Sequence, residues 1–322
     1  MKNKLSIQAI AEGAMMAALT VILVLAGLYI PFLQFFVYFF WTIPGILIFV
    51  RHGFVAGILT LAVASVIVLM LSGPLSAVMA GVQISALAIV YGYAIRKRWK
   101  AGKTVFSGML ATVAASLLLY YLVFWITGVN GLDITGQMQE AVDPTIEAYR
   151  RFGLVGENGI PEQELRAMVS GYIERVAFFF PAFFAMAGAF AAYLTHYIAR
   201  RILRRFAIEV HVLPPFREWR MPWWIVWGLI AALGADLAGK YWGIDLLSRV
   251  GGNIAIFYVP FLFVLGLAVA YFLSTKYLSG KPFIRLMLPL FLFLFLPFSL
   301  YIVALLGVLD LFFDYRGIGP KK

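Results

Sequence analysis

Nine long apolar runs dominate the chain and limit what it can fold into. As helices, most of them are long enough to cross about 30 Å of hydrocarbon. They lie at residues 9–29, 35–50, 54–71, 76–95, 104–127, 173–199, 223–239, 253–273 and 283–313. Hydrophobic residues make up 63% of the 322 residues and charged residues only 13%, which no soluble fold can accommodate. The sequence therefore predicts an all-α, polytopic integral membrane protein.

The last run, 283–313, is too long for one ordinary span. As a single helix it would be about 46 Å long, and Pro289 and Pro297 interrupt it. It forms either one span or two short helices folded back as a hairpin. We therefore expect nine or ten transmembrane helices.

The positive charges predict the orientation, because Lys and Arg favour cytoplasmic loops. If the helices alternate, the basic residues near 2–4, 96–103, 200–220 and 276–285 all fall on one side. The N-terminus is then cytoplasmic, in a bacterial cell membrane. The net charge of +11 is explained by these turns next to the lipid, so we expect a bilayer and no nucleic acid as the charged partner.

The segment 128–172 lies on the opposite, external side and is predicted to contain helices. Its apolar residues recur every three to four positions, as in an amphipathic helix that Pro144 either starts or kinks. These residues are Met138, Val142, Ile146, Tyr149 and Phe152. A second helix is predicted to begin at Pro161 and to continue through Glu174 into the sixth span.

The first span carries two rows of small residues near its start. Ala9, Gly13 and Ala17 form one row, and Ala14 and Ala18 form the other. Such small-xxx-small faces allow membrane helices to approach closely. The face packs either against the protein's own helices or against another subunit.

No catalytic or metal-binding pattern stands out. The three histidines are isolated and there is no cysteine, so we expect no zinc site. Gly102-Lys103-Thr104 resembles the end of a phosphate-binding loop, but position 97, where the leading glycine belongs, is Lys97. Since paired carboxylates and an activated nucleophile are also missing, we expect no enzyme and no cofactor.

A mixed polar and aromatic set marks the outer half of the first six spans. Aromatic walls with a few polar groups are typical of small-molecule pockets. The candidate ligand-binding residues are Gln83, Tyr120, Tyr121, Trp125, Asn130 and Glu174. The alternatives are an interfacial aromatic belt for the Tyr and Trp residues, a helix-to-helix hydrogen bond for Gln83, and pairing with Arg175 or headgroups for Glu174.

Several short motifs resemble the opening helices of the substrate-binding S components of energy-coupling factor (ECF) transporters. They are Ala14-Met15-Met16-Ala17-Ala18-Leu19-Thr20, Ile43-Pro44-Gly45-Ile46-Leu47, Arg51-His52-Gly53 with Gly57, and Ser72-Gly73-Pro74. The whole chain is also similar to the YybS (DUF2232) membrane proteins of Gram-positive bacteria. That similarity includes Gly307-Val308-Leu309-Asp310 and Phe313-Asp314-Tyr315-Arg316.

The S-component resemblance implies a division of the chain. Residues 1–205 correspond to a six-helix core with an external amphipathic insertion at 128–172. Residues 206–222 form a cytoplasmic basic linker, 223–313 are additional transmembrane helices, and 314–322 are a tail. The insertion is long for an S component, and the spans beyond Met221 have no counterpart in that family.

The same resemblance implies a function and partners. In S components the Ala14-xxx-Ala18 spacing corresponds to the motif that contacts the transmembrane coupling subunit. We therefore expect capture or transport of a small molecule, with ATP hydrolysed by a separate ATPase module. The alternative is a non-transporting membrane scaffold or regulatory protein that uses the same fold.

Overall fold

The computed structural model describes residues 6–128, 134–140, 142–153, 155, 160–278 and 280–318, and these residues are almost entirely helical. Their α-helices are α1 (Ile7–Tyr29), α2 (Pro31–Phe40), α3 (Ile43–His52), α4 (Phe54–Arg96), α5 (Ala101–Thr127), α6 (Ile134–Glu140), α7 (Val142–Arg151), α8 (Glu162–Arg204), α9 (Ile225–Trp242), α10 (Asp245–Tyr277), α11 (Pro282–Leu294) and α12 (Leu296–Phe313). The all-α prediction is confirmed.

The predicted apolar runs correspond to these helices. Six helical stretches of the described chain are long and apolar enough to cross a membrane. They are Ile7–Tyr29, Pro31–His52, Phe54–Arg96, Ala101–Thr127, Glu162–Arg204 and Asp245–Tyr277. A shorter apolar helix, Phe298–Phe313, lies near the end of the described residues. The protein is therefore a polytopic membrane protein.

The chain forms two compact units. The first consists of the residues up to Gln137 together with Phe184–Leu213, and the second of Met138–Phe183 together with Pro214 and the residues after it. One unit boundary falls inside α8, between Phe183 and Phe184. The predicted domain boundaries at 205 and 222 stay a prediction.

Helix α4 is a hairpin with two antiparallel arms. The chain reverses at Gly73, whose φ of 82° and ψ of 172° interrupt the helical conformation just before Pro74. The rings of Phe54 and Tyr93 lie 6.5 Å apart, although a straight helix would separate them by about 58 Å. The two apolar runs at 54–71 and 76–95 are these two arms.

The core of the first unit is centred on Phe49 of α3, which is fully buried. A Cβ atom at Gly57 would lie 2.5 Å from the Phe49 ring, and one at Gly92 would lie 2.3 Å from the Phe49 Cβ. One glycine from each arm of α4 therefore makes room for the ring. Because α3 packs so closely against both arms, it is fixed inside the bundle.

The segment 128–172 contains helices in its described part, as predicted. Helix α7 begins at Val142, so Pro144 lies in its first turn, and Val142 and Ile146 are buried in an apolar cluster with Leu165 and Ile173 of α8. Arg166 of α8 lies 2.7 Å from Asp143 of α7. Helix α8 runs without a break from Glu162 to Arg204, which confirms that the second predicted helix continues into the sixth span.

Helices α9, α10 and α12 of the second unit pack at backbone distance. A Cβ atom at Gly251 of α10 would lie 2.4 Å from the Asp236 nitrogen of α9. A Cβ atom at Gly266 of α10 would lie 1.7 Å from the Val303 carbonyl oxygen of α12. Small residues therefore set these contacts, as is common between membrane helices.

The last apolar run is divided at Phe295, between α11 and α12. The Ser299 hydroxyl donates hydrogen bonds to the carbonyls of Leu292, at 2.7 Å, and Leu296, at 3.3 Å. The carbonyls at the break between α11 and α12 therefore have a hydrogen-bond donor within the protein, where little water is available.

The end of α12 carries a buried ion pair. Arg316 and Asp310 have side chains that are 1% and 0% exposed, and Arg316 Nη2 lies 2.8 Å from Asp310 Oδ2. The same guanidinium donates to the carbonyls of Arg217, at 2.7 Å, and Trp219, at 2.9 Å. It therefore fixes the stretch around the short 3-10 turn Phe216–Glu218 to the end of α12.

Candidate functional site

A cavity of about 530 Å³ lies within the first unit, among α2, α4, α5 and α8. Its lining consists of Pro31, Gln34, Phe35, Tyr38, Phe39, Gln83, Thr112, Val113, Ser116, Phe184, Ala187, Gly188, Phe190 and Ala191. Thr112 and Ser116 are buried, whereas Pro31, Gln34 and Phe35 are exposed at the start of α2. The cavity therefore opens beside the beginning of α2 and has a polar floor.

The floor is built around Gln83 from the second arm of α4. Its Nε2 atom donates a hydrogen bond to Ser116 Oγ at 2.9 Å. Its Oε1 atom accepts one from the Tyr38 hydroxyl at 3.4 Å. This one amide thus connects α2, α4 and α5, and the long Tyr38 contact is the weaker of the two.

Aromatic rings form part of the walls. Phe39 packs edge-on against Phe35, with ring centroids 5.3 Å apart, and against Phe190 of α8 at 6.1 Å. Phe184 on α8 contacts the Tyr120 ring at 5.8 Å. The two edge-to-face pairs of Phe39 hold these rings in fixed orientations.

The described lining residues include no Asp, Glu, Lys or Arg. Hydrogen-bonding capacity comes from two amides and three hydroxyls, namely Gln34, Gln83, Tyr38, Thr112 and Ser116. Chemically, such groups match a molecule that has complementary donors and acceptors and no net charge.

The described residues contain no group of three or more His, Cys, Asp or Glu side chains that could hold a metal ion.

Comparison with known proteins assigns the family. The model of the family described as "Predicted membrane protein (DUF2232)" matches residues 18–311. The chain belongs to this family. It is also 25% identical over 311 residues to "Uncharacterized protein YybS" of Bacillus subtilis (strain 168), covering 96% of this chain and 97% of that protein. No solved structure matches the chain.

In this member of the DUF2232 family, the predicted ligand-binding residues lie in different places. Gln83 lines the cavity floor, and Tyr120 contacts the lining residue Phe184. Tyr121 is 66% exposed and Trp125 is 77% exposed, and neither lines the cavity. Glu174 is exposed on the part of α8 that belongs to the second unit, and Asn130 lies outside the described residues.

Sequence reasoning missed four polar residues of the lining. Gln34 and Tyr38 on α2, and Thr112 and Ser116 on α5, are pairs four residues apart. Polar residues at this spacing share one face of a helix. In otherwise apolar spans, that spacing is the signal by which they could have been found.

The two rows of small residues on α1 have different environments. Ala9, Gly13 and Ala17 are buried, and a Cβ atom at Gly13 would lie 2.8 Å from Thr60 Oγ1 on α4. Ala14 and Ala18 are exposed. The first row packs within the first unit, and the second leaves an accessible strip of small side chains.

Proposed function

We propose that the protein captures a small, uncharged, hydrogen-bonding molecule in the cavity among α2, α4, α5 and α8. In this proposal it works like an S component, and a separate module hydrolyses ATP to drive transport. The proposal rests above all on the uncharged polar floor at Gln83, since a lipid-embedded bundle has no need to keep amides and hydroxyls around an open space.

The position of the cavity mouth supports uptake. Pro31 and Gln34 stand at the beginning of α2, directly after α1. If the N-terminus is cytoplasmic, α1 ends on the external side and the mouth faces outward. A molecule from outside would then reach Gln83 past Phe35.

Native mass spectrometry of the gently purified protein tests ligand capture. We expect a retained small molecule on the native protein and about tenfold lower occupancy after Gln83→Ala, because an unpaired hydrogen-bonding group costs about 1–3 kcal/mol. Trp125→Ala is the matched control, since Trp125 is exposed and lies outside the lining. Equal retention by the native protein and Gln83→Ala, or no retained molecule, would contradict the proposal.

The proposed coupling subunit docks on Ala14 and Ala18. The double change Ala14→Leu/Ala18→Leu should leave the protein folded and abolish co-purification of the partner, because bulk is added only to an exposed strip. Gly13→Leu/Ala17→Leu is the inward-facing control and should lower the melting temperature, because Thr60 occupies that space. A folded Ala14/Ala18 variant that keeps every partner of the native protein would contradict this docking role.

A non-transporting scaffold is the second candidate. It is favoured by the helices beyond Met221, among which α9, α10 and α12 pack at backbone distance around Gly251 and Gly266, because these helices have no counterpart in S components. Native mass spectrometry separates the two functions, because a scaffold would co-purify with protein partners and retain no small molecule.

A further inference from the structure

The first unit contains a second cavity, whose lining, unlike that of the first, includes charged residues. Its volume is about 830 Å³. Its lining consists of Arg98, Arg200, Arg204, Ala207, Ile208, Glu209, Val210, His211 and Val212. None of these residues lines the uncharged cavity, so the inference below is independent of the proposed function.

Two stretches of chain that are far apart in sequence supply the arginines of this cavity. Arg98 follows the second arm of α4, and Arg200 and Arg204 lie in the last turns of α8. The stretch 207–212 supplies the remaining lining, and the His211 carbonyl accepts a hydrogen bond from His196 Nε2 at 3.1 Å. Because His196 is buried in the bundle, this bond holds the stretch in place.

The part of the chain that the structure describes leaves the positive charge at this cavity unbalanced. Among the described residues, none of the three guanidinium groups has a hydrogen bond or an ion pair. Glu209 is the one carboxylate in the described lining, against three arginines. Arg200 and Arg204 are also four residues apart on one helix face, where like charges repel each other.

The backbone conformation at Arg98 is unusual for an arginine. Arg98 closes α4 in the left-handed conformation, with φ of 53°. The Trp99 N–H donates to the Ala94 carbonyl, and the Arg98 N–H donates to the Ile95 carbonyl. This helix-ending motif favours glycine at the position of Arg98, so the arginine side chain is present despite a conformational cost.

The attraction of cations to helix ends explains only part of the arrangement. The C-terminus of α8 favours any nearby cation, including Arg201 and Arg205. Those two residues do not line the cavity, and Arg201 lies over the Tyr197 ring. Arg98 likewise stands at the C-terminus of α4, so the dipoles favour a cation there too, but they do not account for arginines from two different helices lining the same space.

We propose that Arg98, Arg200 and Arg204 bind the phosphate group of a phosphate ester in this cavity. Guanidinium groups match phosphate oxygens in pairs and bind them with charge-assisted hydrogen bonds. A dianionic phosphate would balance the two excess positive charges of the lining, three arginines against Glu209. The apolar side chains of Ile208, Val210 and Val212 in the same lining suit the organic part of the ester.

This chemistry is shared by a lipid headgroup and a soluble phosphate ester, and thermal unfolding in uncharged detergent distinguishes them. The probes are glycerol 3-phosphate, dioctanoyl phosphatidic acid and dioctanoyl phosphatidylcholine, at constant ionic strength. Saturable stabilisation by glycerol 3-phosphate identifies a soluble ester as sufficient. Stabilisation by phosphatidic acid alone identifies a lipid headgroup. Stabilisation by neither, or equally by phosphatidylcholine, would overturn the proposal.

Two double variants that each remove two positive charges from this region locate the phosphate site. Arg200→Gln/Arg204→Gln should weaken binding of the active probe by at least about tenfold. Arg201→Gln/Arg205→Gln, which removes the same charge from the same end of α8, should leave binding of the probe unchanged. Equal weakening by both pairs would show that general charge attraction acts instead, and would overturn the site.

The variant Arg98→Gly shows whether weaker probe binding comes from a lost contact or from a less stable protein. Glycine adopts the left-handed conformation easily, so this variant should melt no lower than the native protein without a probe. It should still bind the active probe about tenfold more weakly. Native affinity in Arg98→Gly would remove Arg98 from the site and overturn the three-arginine arrangement.

Discussion

At the scale of single residues, buried polar groups are the features whose partners matter most. Gln83 and Arg316 illustrate two uses of such groups. Gln83 borders an open cavity, and its amide is hydrogen-bonded to Tyr38 of α2 and Ser116 of α5. Arg316 is enclosed, and its guanidinium bonds Asp310 and two main-chain carbonyls. The first arrangement leaves room for a ligand, and the second leaves none.

The Arg316 cluster should be important for stability. Asp310→Ala leaves a buried guanidinium without its counter-charge, which typically costs about 3–5 kcal/mol. We expect a clear fall in the melting temperature of the protein in detergent. Arg249→Gln is the control, because its exposed side chain lies in the same unit and its loss should change little. An unchanged melting temperature in Asp310→Ala would show that the pair contributes no net stability.

At the scale of elements, the hairpin of α4 organises the first unit. Its two arms provide Gly57 and Gly92 for the Phe49 ring, and its second arm carries Gln83. Gly73 makes the reversal possible, because φ of 82° with ψ of 172° is a conformation that is essentially restricted to glycine. Without this reversal, neither the core nor the cavity floor would form.

A disulfide between the arms tests the hairpin. An ideal Cβ at Gly81 lies 3.7 Å from the Ser65 Cβ, within the range of disulfide geometry. A straight helix would place these residues about 24 Å apart. In Ser65→Cys/Gly81→Cys we expect an intramolecular bond on oxidation, measured by peptide mass spectrometry.

The native chain has no cysteine, so no other disulfide can form within one molecule. Ser65→Cys/Gly102→Cys is the negative control, because Gly102 lies beyond the end of α4 with open space around it. Free thiols in both double variants would contradict the hairpin.

At the scale of the whole molecule, the charges predict the orientation in the membrane. The stretch 96–103, where α4 ends and α5 begins, is basic, and in the stretch 133–164 the acidic residues outnumber the basic ones. Lys and Arg are enriched in the cytoplasmic loops of membrane proteins. The predicted arrangement therefore places these two regions on opposite faces of the bilayer.

Labelling of introduced cysteines in intact cells checks the orientation. Phe152 is 81% exposed and Gly102 has open space around it, so both sites accept a cysteine. An impermeant thiol reagent should label Phe152→Cys directly and Gly102→Cys only after the cells are permeabilised. The native chain should remain unlabelled in both cases. Labelling of both variants in intact cells would contradict the predicted topology.

The sequence by itself determined the class of the protein and most of its helices. Apolar runs of spanning length leave few choices in lipid, since every backbone group must be bonded within a helix. The continuation of α8 through Glu174 was predictable from the proline and carboxylates at its start. Gln83, which lines the cavity, could be singled out because an amide in an apolar run is conspicuous on its own.

Only the tertiary structure decided which side chains meet. The chain reversal at Gly73 brings residues far apart in sequence together, and no periodicity reports such a contact. Tyr121 and Trp125 fit a pocket by composition, yet the direction of α5 leaves them exposed. Likewise, Ala14 and Gly13 are neighbours in sequence, but helical geometry turns them about 100° apart, so one is exposed and the other packs on Thr60.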